Sequence, residues 1–526
     1  MMRRTLAFVT AGLVLLGSGF AAAQTLVYGQ SGFPTTLDSV DSQDGNSLTV
    51  SVNITERLIG FERGGTGLAP ALATSWSAND DATVWTLELR EGVAFHDGTL
   101  FDAEAVKFNL DRWNDESHPH GYRDEGKTFV PWTWVFGGFK GDGSILEEVR
   151  VVDDHTVELV MAEPVGLLPS MLAAIYFQID SPTAVMEAGG AYGMPGTGSV
   201  GTGPFAFVEW REGERLVVER NSDYWGDVAQ VEQVIFRGIE DPTARLTELL
   251  AGSIDIAVNM AADDLAIIEE SADLEPVVAE AELNVGYLGM HQANEPFDDE
   301  RVRIAIAHAI DREAIVEAFY GGLGSVAVDF LPPTLWGHAD SEPYPYDPER
   351  ARQLLEEAGH PNGFNTELWY MPVSRPYYPS PQPIAETMAS YLADVGIDAE
   401  LMTEDWTTYL GDYNTGKFPM YMLGWNADYA DPDNFLYTFF GPSAPAALGW
   451  DDPETIDLLE RARQAPTQDE RQQLYEQALE RVHDQMPSLP VAHTSSVNAT
   501  RTIVSGFQVS PLGPALPPLN GVSKQE

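Results

Sequence analysis

From Asn284 to Asn426, strand-like and helix-like segments take turns, and this alternation limits the possible folds more than any other feature of the chain. VGYLGM reads as a strand. After a turn, DDERVRIAIAHAIDREAIVEAFYGG has apolar residues at helical spacing and reads as one long helix. YDPERARQLLEEAGHP carries its own boundary signals: Asp347 as N-cap, Pro348 in the first turn, Gly359 as stop and Pro361 beyond. The strand FNTELWYM, the loop PVSRPYYPSPQP, the helix IAETMASYLADVG and the strands IDAELM and FPMYMLGW complete the series. A chain that alternates in this way builds an α/β domain with a largely parallel sheet.

The N-terminal half is less regular. TLVYGQ is a short strand followed by the Gly/Pro turn SGFPTTLD; VWTLELR alternates as a strand, and DAEAVKFNLDRW is an amphipathic helix capped by Asp102. Asp153 and Asp154 fall in a hairpin turn between EEVRVV and TVELVM. The glycine-rich passage GGAYGMPGTGSVGTGPF lacks a GK[ST] ending and opens no helix, so it reads as a loop or crossover rather than a phosphate cradle. Trp132, Trp134 and Phe136 make the segment 118–143 unusually aromatic, suited either to a core or to stacking on a sugar.

The first residues form an export signal: Arg3 and Arg4, the apolar stretch LAFVTAGLVLLGSGF, then Ala21 to Ala23 as a cleavage site. The mature chain is expected to begin near Gln24 or Thr25. The chain has 526 residues and no cysteine, which excludes disulfides, thiolate metal sites, a cysteine nucleophile and a lipid-modified cysteine. A periplasmic location is the expectation.

Acidic residues number 81 against 29 Lys and Arg, a formal net charge of -52. Such an excess opposes binding to nucleic acid or anionic lipid. It reads as adaptation to a saline medium, or as a device for solubility alone. No GxSxG elbow or HExxH motif is present. His96, His155 and His308 read as structural, and His118 and His120 flank Pro119 in what reads as a solvent loop. No catalytic residue, metal ligand or cofactor is therefore expected.

Open α/β sheets bind ligands beyond the carboxyl ends of their strands. Two strand ends carry unusual charge: FNTELWYM runs into Arg375, beside Tyr377 and Tyr378, and FPMYMLGW runs into Asp428, beside Trp425 and Tyr429. If the strands share a sheet, one site holds a fixed cation and a fixed anion, which suits a zwitterion. The charges of an extended dipeptide are separated by roughly 7 Å, at about 3.5 Å per residue. The residues alone leave a second reading open. On composition alone Asp428 better suits a helix cap or a solvated acid, Asp431 and Asp433 suit capping and turn roles, and Arg375 suits pairing with any surface acid.

The stretches TSWSANDDATVWTLELREGVAFHDGTLFDAEAVKFNLDR, VGTGPF and NEPFDDERVRIAIAHAIDRE resemble the signatures of the family 5 bacterial extracellular solute-binding proteins, receptors of ATP-driven importers. LWYMPVSRPYYP, LGWNADYADPDNF and HDQMPSLPVAH are most similar to the dipeptide-binding branch. The resemblance implies two lobes joined by crossover strands, an added domain on the first lobe, and a ligand cleft between the lobes. It implies a signal peptide over 1–23, a first lobe from 24–60, 200–283 and 504–526, the added domain over 61–199, and a second lobe over 284–503. It assigns the ligand carboxylate to Arg375 and the ammonium to Asp428, with Tyr377, Trp425 and Phe33 lining the site. The implied partners are a short peptide and a transmembrane permease, with the receptor a monomer. NADYAD has a form more usual in oligopeptide receptors, and receptors for nickel, haem and oligosaccharide share the scaffold.

Overall fold

The computed structural model describes residues 24–279, 281–442, 448–513 and 515–525; the expected signal segment lies outside them. Two large sheets organise the chain. The first has seven strands in the order Phe205–Arg211, Arg215–Arg220, Gln233–Gly238, Thr25–Gln30, Ile256–Met260, Val497–Arg501, Leu274–Val278. Side chains alternate across a strand, so this sheet feeds two cores. Ile256 and Val258 join Tyr28 and Phe236 on one face, while Ala257 meets Leu246 and Leu249 of the helix Pro242–Leu250 on the other.

The second sheet has six strands: Gly324–Val326, Ser488–Thr494, Asn284–Met290, Met420–Asn426, Phe364–Trp369, Ile397–Met402. Its apolar strands form one core with the helices Glu300–Ala309, Pro348–Glu357 and Pro381–Asp394. The sheet is mixed rather than largely parallel. Phe364–Trp369 runs parallel to both its neighbours, whereas Met420–Asn426 pairs antiparallel with Asn284–Met290, and that strand in turn with Ser488–Thr494. The antiparallel partner is a strand from the far end of the sequence.

Local signals are followed closely. Asp102 accepts from Ala105 N at 2.9 Å and Asp347 from Arg350 N at 2.9 Å, each starting its helix. The long helix expected after residue 299 is in fact two, Glu300–Ala309 and Arg312–Phe319, because the Asp311 carboxylate caps a new start at Ala314 N, 2.9 Å away. A four-stranded antiparallel sheet (in order Ala73–Ala78, Val84–Leu89, Thr156–Met161, Leu146–Asp153) forms a further unit with the helix Ala103–Asn114 and its own core. Trp132 and Phe136 stack within that core at 3.9 Å, while Trp134 is half exposed. The glycine-rich passage is a close-packed seam: a Cβ on Gly201 or Gly203 would lie 2.4 or 2.7 Å from the Ile54 carbonyl oxygen.

The chain passes between the two large sheets after Val278 and returns before Val497. The second lobe was expected to run to 503, but Val497–Arg501 already pairs in the seven-stranded sheet. Asn284 fastens the two crossovers together, its amide donating to Thr494 O at 2.9 Å and accepting from Thr494 N at 3.0 Å. Among the described residues no helix is long and apolar enough to cross a membrane.

Candidate functional site

A cleft of about 830 Å³ lies where the crossovers meet the ends of both sheets. One wall comes from the seven-stranded side, including Gln30, Asn46 and Asn259. The other comes from the six-stranded side, including Ser374, Arg375 and Asp428, and Tyr176 of the added unit closes one edge. The volume falls within the range of small-molecule sites.

Arg375 and Asp428 both belong to this wall because their strands are neighbours. Phe364–Trp369 and Met420–Asn426 pair in parallel, Leu368 with Met420 and Trp369 with Tyr421, so both chains leave the sheet at the same edge. The Arg375 loop is a tight turn with Pro376 at its second position. Arg375 N donates to Tyr378 O at 3.1 Å, and Tyr378 N to Arg375 O at 2.9 Å. Tyr377 anchors that turn. Its ring and carbonyl lie over Gly286 and Gly424, which face each other across two strands; a Cβ on either would come within 2.5 Å of Tyr377. Tyr320 Oη donates to the Tyr377 carbonyl at 3.0 Å. Burial pushes the Tyr377 phenol up to about 12, opposed by the Arg375 guanidinium beside it. The guanidinium itself donates to Ser374 O at 3.1 Å and sits 5.3 Å from the Trp406 ring centre.

The Asp428 turn is organised by Asn434. The Asn434 side-chain oxygen accepts from Trp425 Nε1 and from Asp428 N, each at 2.9 Å, and its amide donates to Asp428 Oδ2 at 3.3 Å. Tyr176 Oη donates to Asp428 Oδ1 at 2.8 Å from across the cleft. Burial holds the Asp428 carboxyl above the usual carboxylate range, and the Tyr176 and Asn434 donors pull it partly back. The described residues supply no cation to Asp428 and no anion to Arg375.

The neighbouring acids are placed differently. Asp431 is buried and grips Arg471, whose Nη1 lies 2.8 Å from Oδ2; Ser170 Oγ also donates to it at 3.1 Å. Asp433 is buried against Arg463 at 3.2 Å and accepts from Tyr429 Oη at 2.9 Å. The expected turn role is present in Asp433 N donating to Asp431 Oδ1 at 3.0 Å, but both acids also hold the turn to the helices Pro453–Gln464 and Gln468–Gln485. Tyr429 reaches over to pack in the core of the added unit.

Of the other expected contact residues, Tyr377 lies behind the cleft wall. Trp425 is half buried with its ring edge-on to Phe439, and Phe33 packs against Gly238 in the seven-stranded lobe. These three support the cleft without lining it. Tyr176 and Asn434 escaped sequence reasoning. Asn434 stands in DPDNF only six residues past Asp428, a spacing that suits a side chain closing a turn, whereas Tyr176 is 252 positions away and carries no local signal.

Two lobes, two crossover strands and a cleft between them define a type II solute-binding fold. A model of the bacterial extracellular solute-binding proteins, family 5, matches residues 67–446, and the chain belongs to this family. The Dipeptide-binding protein of Escherichia coli K12 is 33% identical over 522 residues, covering 95% of this chain and 96% of that one. The structure of HbpA2 from Haemophilus parasuis superposes with a TM-score of 0.86 at 30% identity, covering 95% of this chain and all (100%) of the other. The dipeptide-binding protein of Pseudoalteromonas sp. SM9913, solved with Met-Leu, gives 0.80 at 28% identity, covering 95% of this chain and 100% of that one.

Proposed function

We propose that the protein is an exported receptor that closes its lobes on a dipeptide and delivers it to an ATP-driven importer. In this assignment Asp428 takes the ligand ammonium and Arg375 the carboxylate. The observation that carries it is an arginine and an aspartate on adjacent strand ends in one cleft, each without an opposite charge among the described residues. Burying such groups unpaired costs several kcal/mol, and a zwitterion of matching length removes the cost at both ends. The arginine fork gives a carboxylate two parallel hydrogen bonds, and the distance between anchors selects peptide length rather than side chains. Dipeptide-binding relatives with coverage above nine-tenths support the same ligand class.

We divide the chain into a first lobe on the seven-stranded sheet, an added unit on the four-stranded sheet, and a second lobe on the six-stranded sheet that ends before Val497. Closure about the two crossovers buries the ligand and presents a joint surface of the lobes to the permease. The receptor acts outside the cytoplasm after loss of its leader and does no chemistry on what it binds. Mass spectrometry of ligand released from the purified protein tests this, with short peptides as the expected species; haem, a metal chelate or a sugar in their place overturns the assignment. Hydrolysis of bound peptides would make it an enzyme instead.

A further inference from the structure

Besides Asp428, the cleft wall holds a further carboxylate, this one buried, that binding the two ends of a dipeptide does not use. Glu282 lies on the first crossover, between Leu274–Val278 and Asn284–Met290, and lines the same cleft as Arg375 and Asp428. It is 6% exposed. Its Oε1 is held by Ser496, accepting from the backbone N–H at 3.0 Å and the hydroxyl at 2.5 Å. Its Oε2 has no protein partner among the described residues, and no cation stands beside it. Burial raises the carboxyl above its ordinary range, and the two Ser496 donors oppose that rise.

Position and company separate Glu282 from the other acids on the wall. Asp44 caps the helix Gly45–Ser51, accepting from Ser47 N at 2.9 Å, and Asp263 is exposed to solvent. The Glu282 segment abuts the Asp428 turn, because Ala427 N donates to Leu283 O at 2.8 Å. The cleft thus offers two anions, Glu282 buried and Asp428 partly buried, and one cation. A ligand of matching charge has two positive groups and one negative.

We infer that Glu282 is a second anionic anchor, one that takes the ammonium or guanidinium of a ligand side chain and makes the receptor favour short peptides carrying lysine or arginine. The inference rests on the dipeptide assignment above. A carboxylate oxygen that faces the cleft without a protein donor is free to accept from a charged donor on the ligand, in a short, strong hydrogen bond.

Glu282 also fastens the two crossovers through Ser496, so the test must separate recognition from structure. Glutamine keeps the oxygen that Ser496 donates to and removes only the charge. Calorimetry compares Lys-Ala and Ala-Lys with their norleucine counterparts, which keep the aliphatic chain and lack the ammonium. On the unaltered protein, at least one lysine peptide is expected to bind about tenfold tighter than its counterpart, and in Glu282→Gln that ratio falls to about one with norleucine peptides unaffected. Norleucine peptides that bind as well as lysine peptides to the unaltered protein overturn the anchor and leave the dipeptide assignment standing, as does a lysine preference that survives Glu282→Gln. Failure of all four peptides to bind overturns the assignment and the anchor with it.

Discussion

The Asp428 carboxylate meets a phenol from the added unit and an amide from its own turn, but no cation among the described residues. Asp431, three residues on, meets a guanidinium in a buried, two-pronged contact. The two acids should therefore respond oppositely to truncation. Asp431→Ala leaves Arg471 buried and unpaired and is expected to cost about 3–5 kcal/mol of stability, seen as a lowered unfolding midpoint. Asp428→Ala and Arg375→Ala should leave that midpoint near its original value and each weaken dipeptide binding by about 2–5 kcal/mol in calorimetry. The pH dependence has a definite sign. An ammonium is bound by the ionised carboxylate, and burial lifts the Asp428 carboxyl above its ordinary value of 3.8. Affinity is thus expected to be level at neutral pH and to fall as pH drops through that raised value, sooner than for an ordinary aspartate; affinity that rises on acidification contradicts the assignment. Residue identity alone could not separate Asp428 from Asp431. The decisive partners, Arg471 and Tyr176, lie 40 and 252 positions away, and sequence pattern holds no record of such contacts.

The Arg375 turn and the Asp428 turn are held in place by backbone approach as much as by side chains. Tyr377 occupies the space that a Cβ at Gly424 would need, with 2.2 Å between that position and the ring. Gly424→Ala is therefore expected to destabilise by about 1–3 kcal/mol and to displace the Arg375 turn, so that binding weakens although no ligand contact is removed. Calorimetry and thermal unfolding on the one variant check both halves. Elements whose ends carry caps were legible from sequence: Asp102 and Asp347 start helices where expected, and FPMYMLGW forms the strand that delivers Asp428. Where two signals competed, the cap prevailed over apolar periodicity, and Asp311 divides what the pattern presents as one helix. Strand order was not legible. The mixed second sheet exists because Ser488–Thr494 returns to pair with Asn284–Met290, a choice made by packing over about two hundred residues of separation.

At the scale of the molecule, 81 acidic residues against 29 basic ones repel one another across both lobes. Raising salt from about 0.1 to 1 M shortens the screening length from about 10 to 3 Å, so the unfolding temperature is expected to climb over that range. A midpoint that stays flat or falls would argue for solubility alone as the use of the charge. The same surplus surrounds a cleft whose Arg375 has no acidic partner among the described residues, although acids outnumber basic residues by more than two to one. In the proposed assignment, an arginine with no acid beside it among the described residues takes the ligand anion, and Asp428 takes the ligand cation. The most direct measurement is calorimetry on the unaltered protein with one dipeptide and its two end-blocked forms, N-acetylated and C-amidated. Each block is predicted to weaken binding by about 2–5 kcal/mol, the acetyl group's penalty shrinking in Asp428→Ala and the amide's in Arg375→Ala. Blocked and free peptides of equal affinity would contradict the assignment of the two charges to the two ends of the ligand.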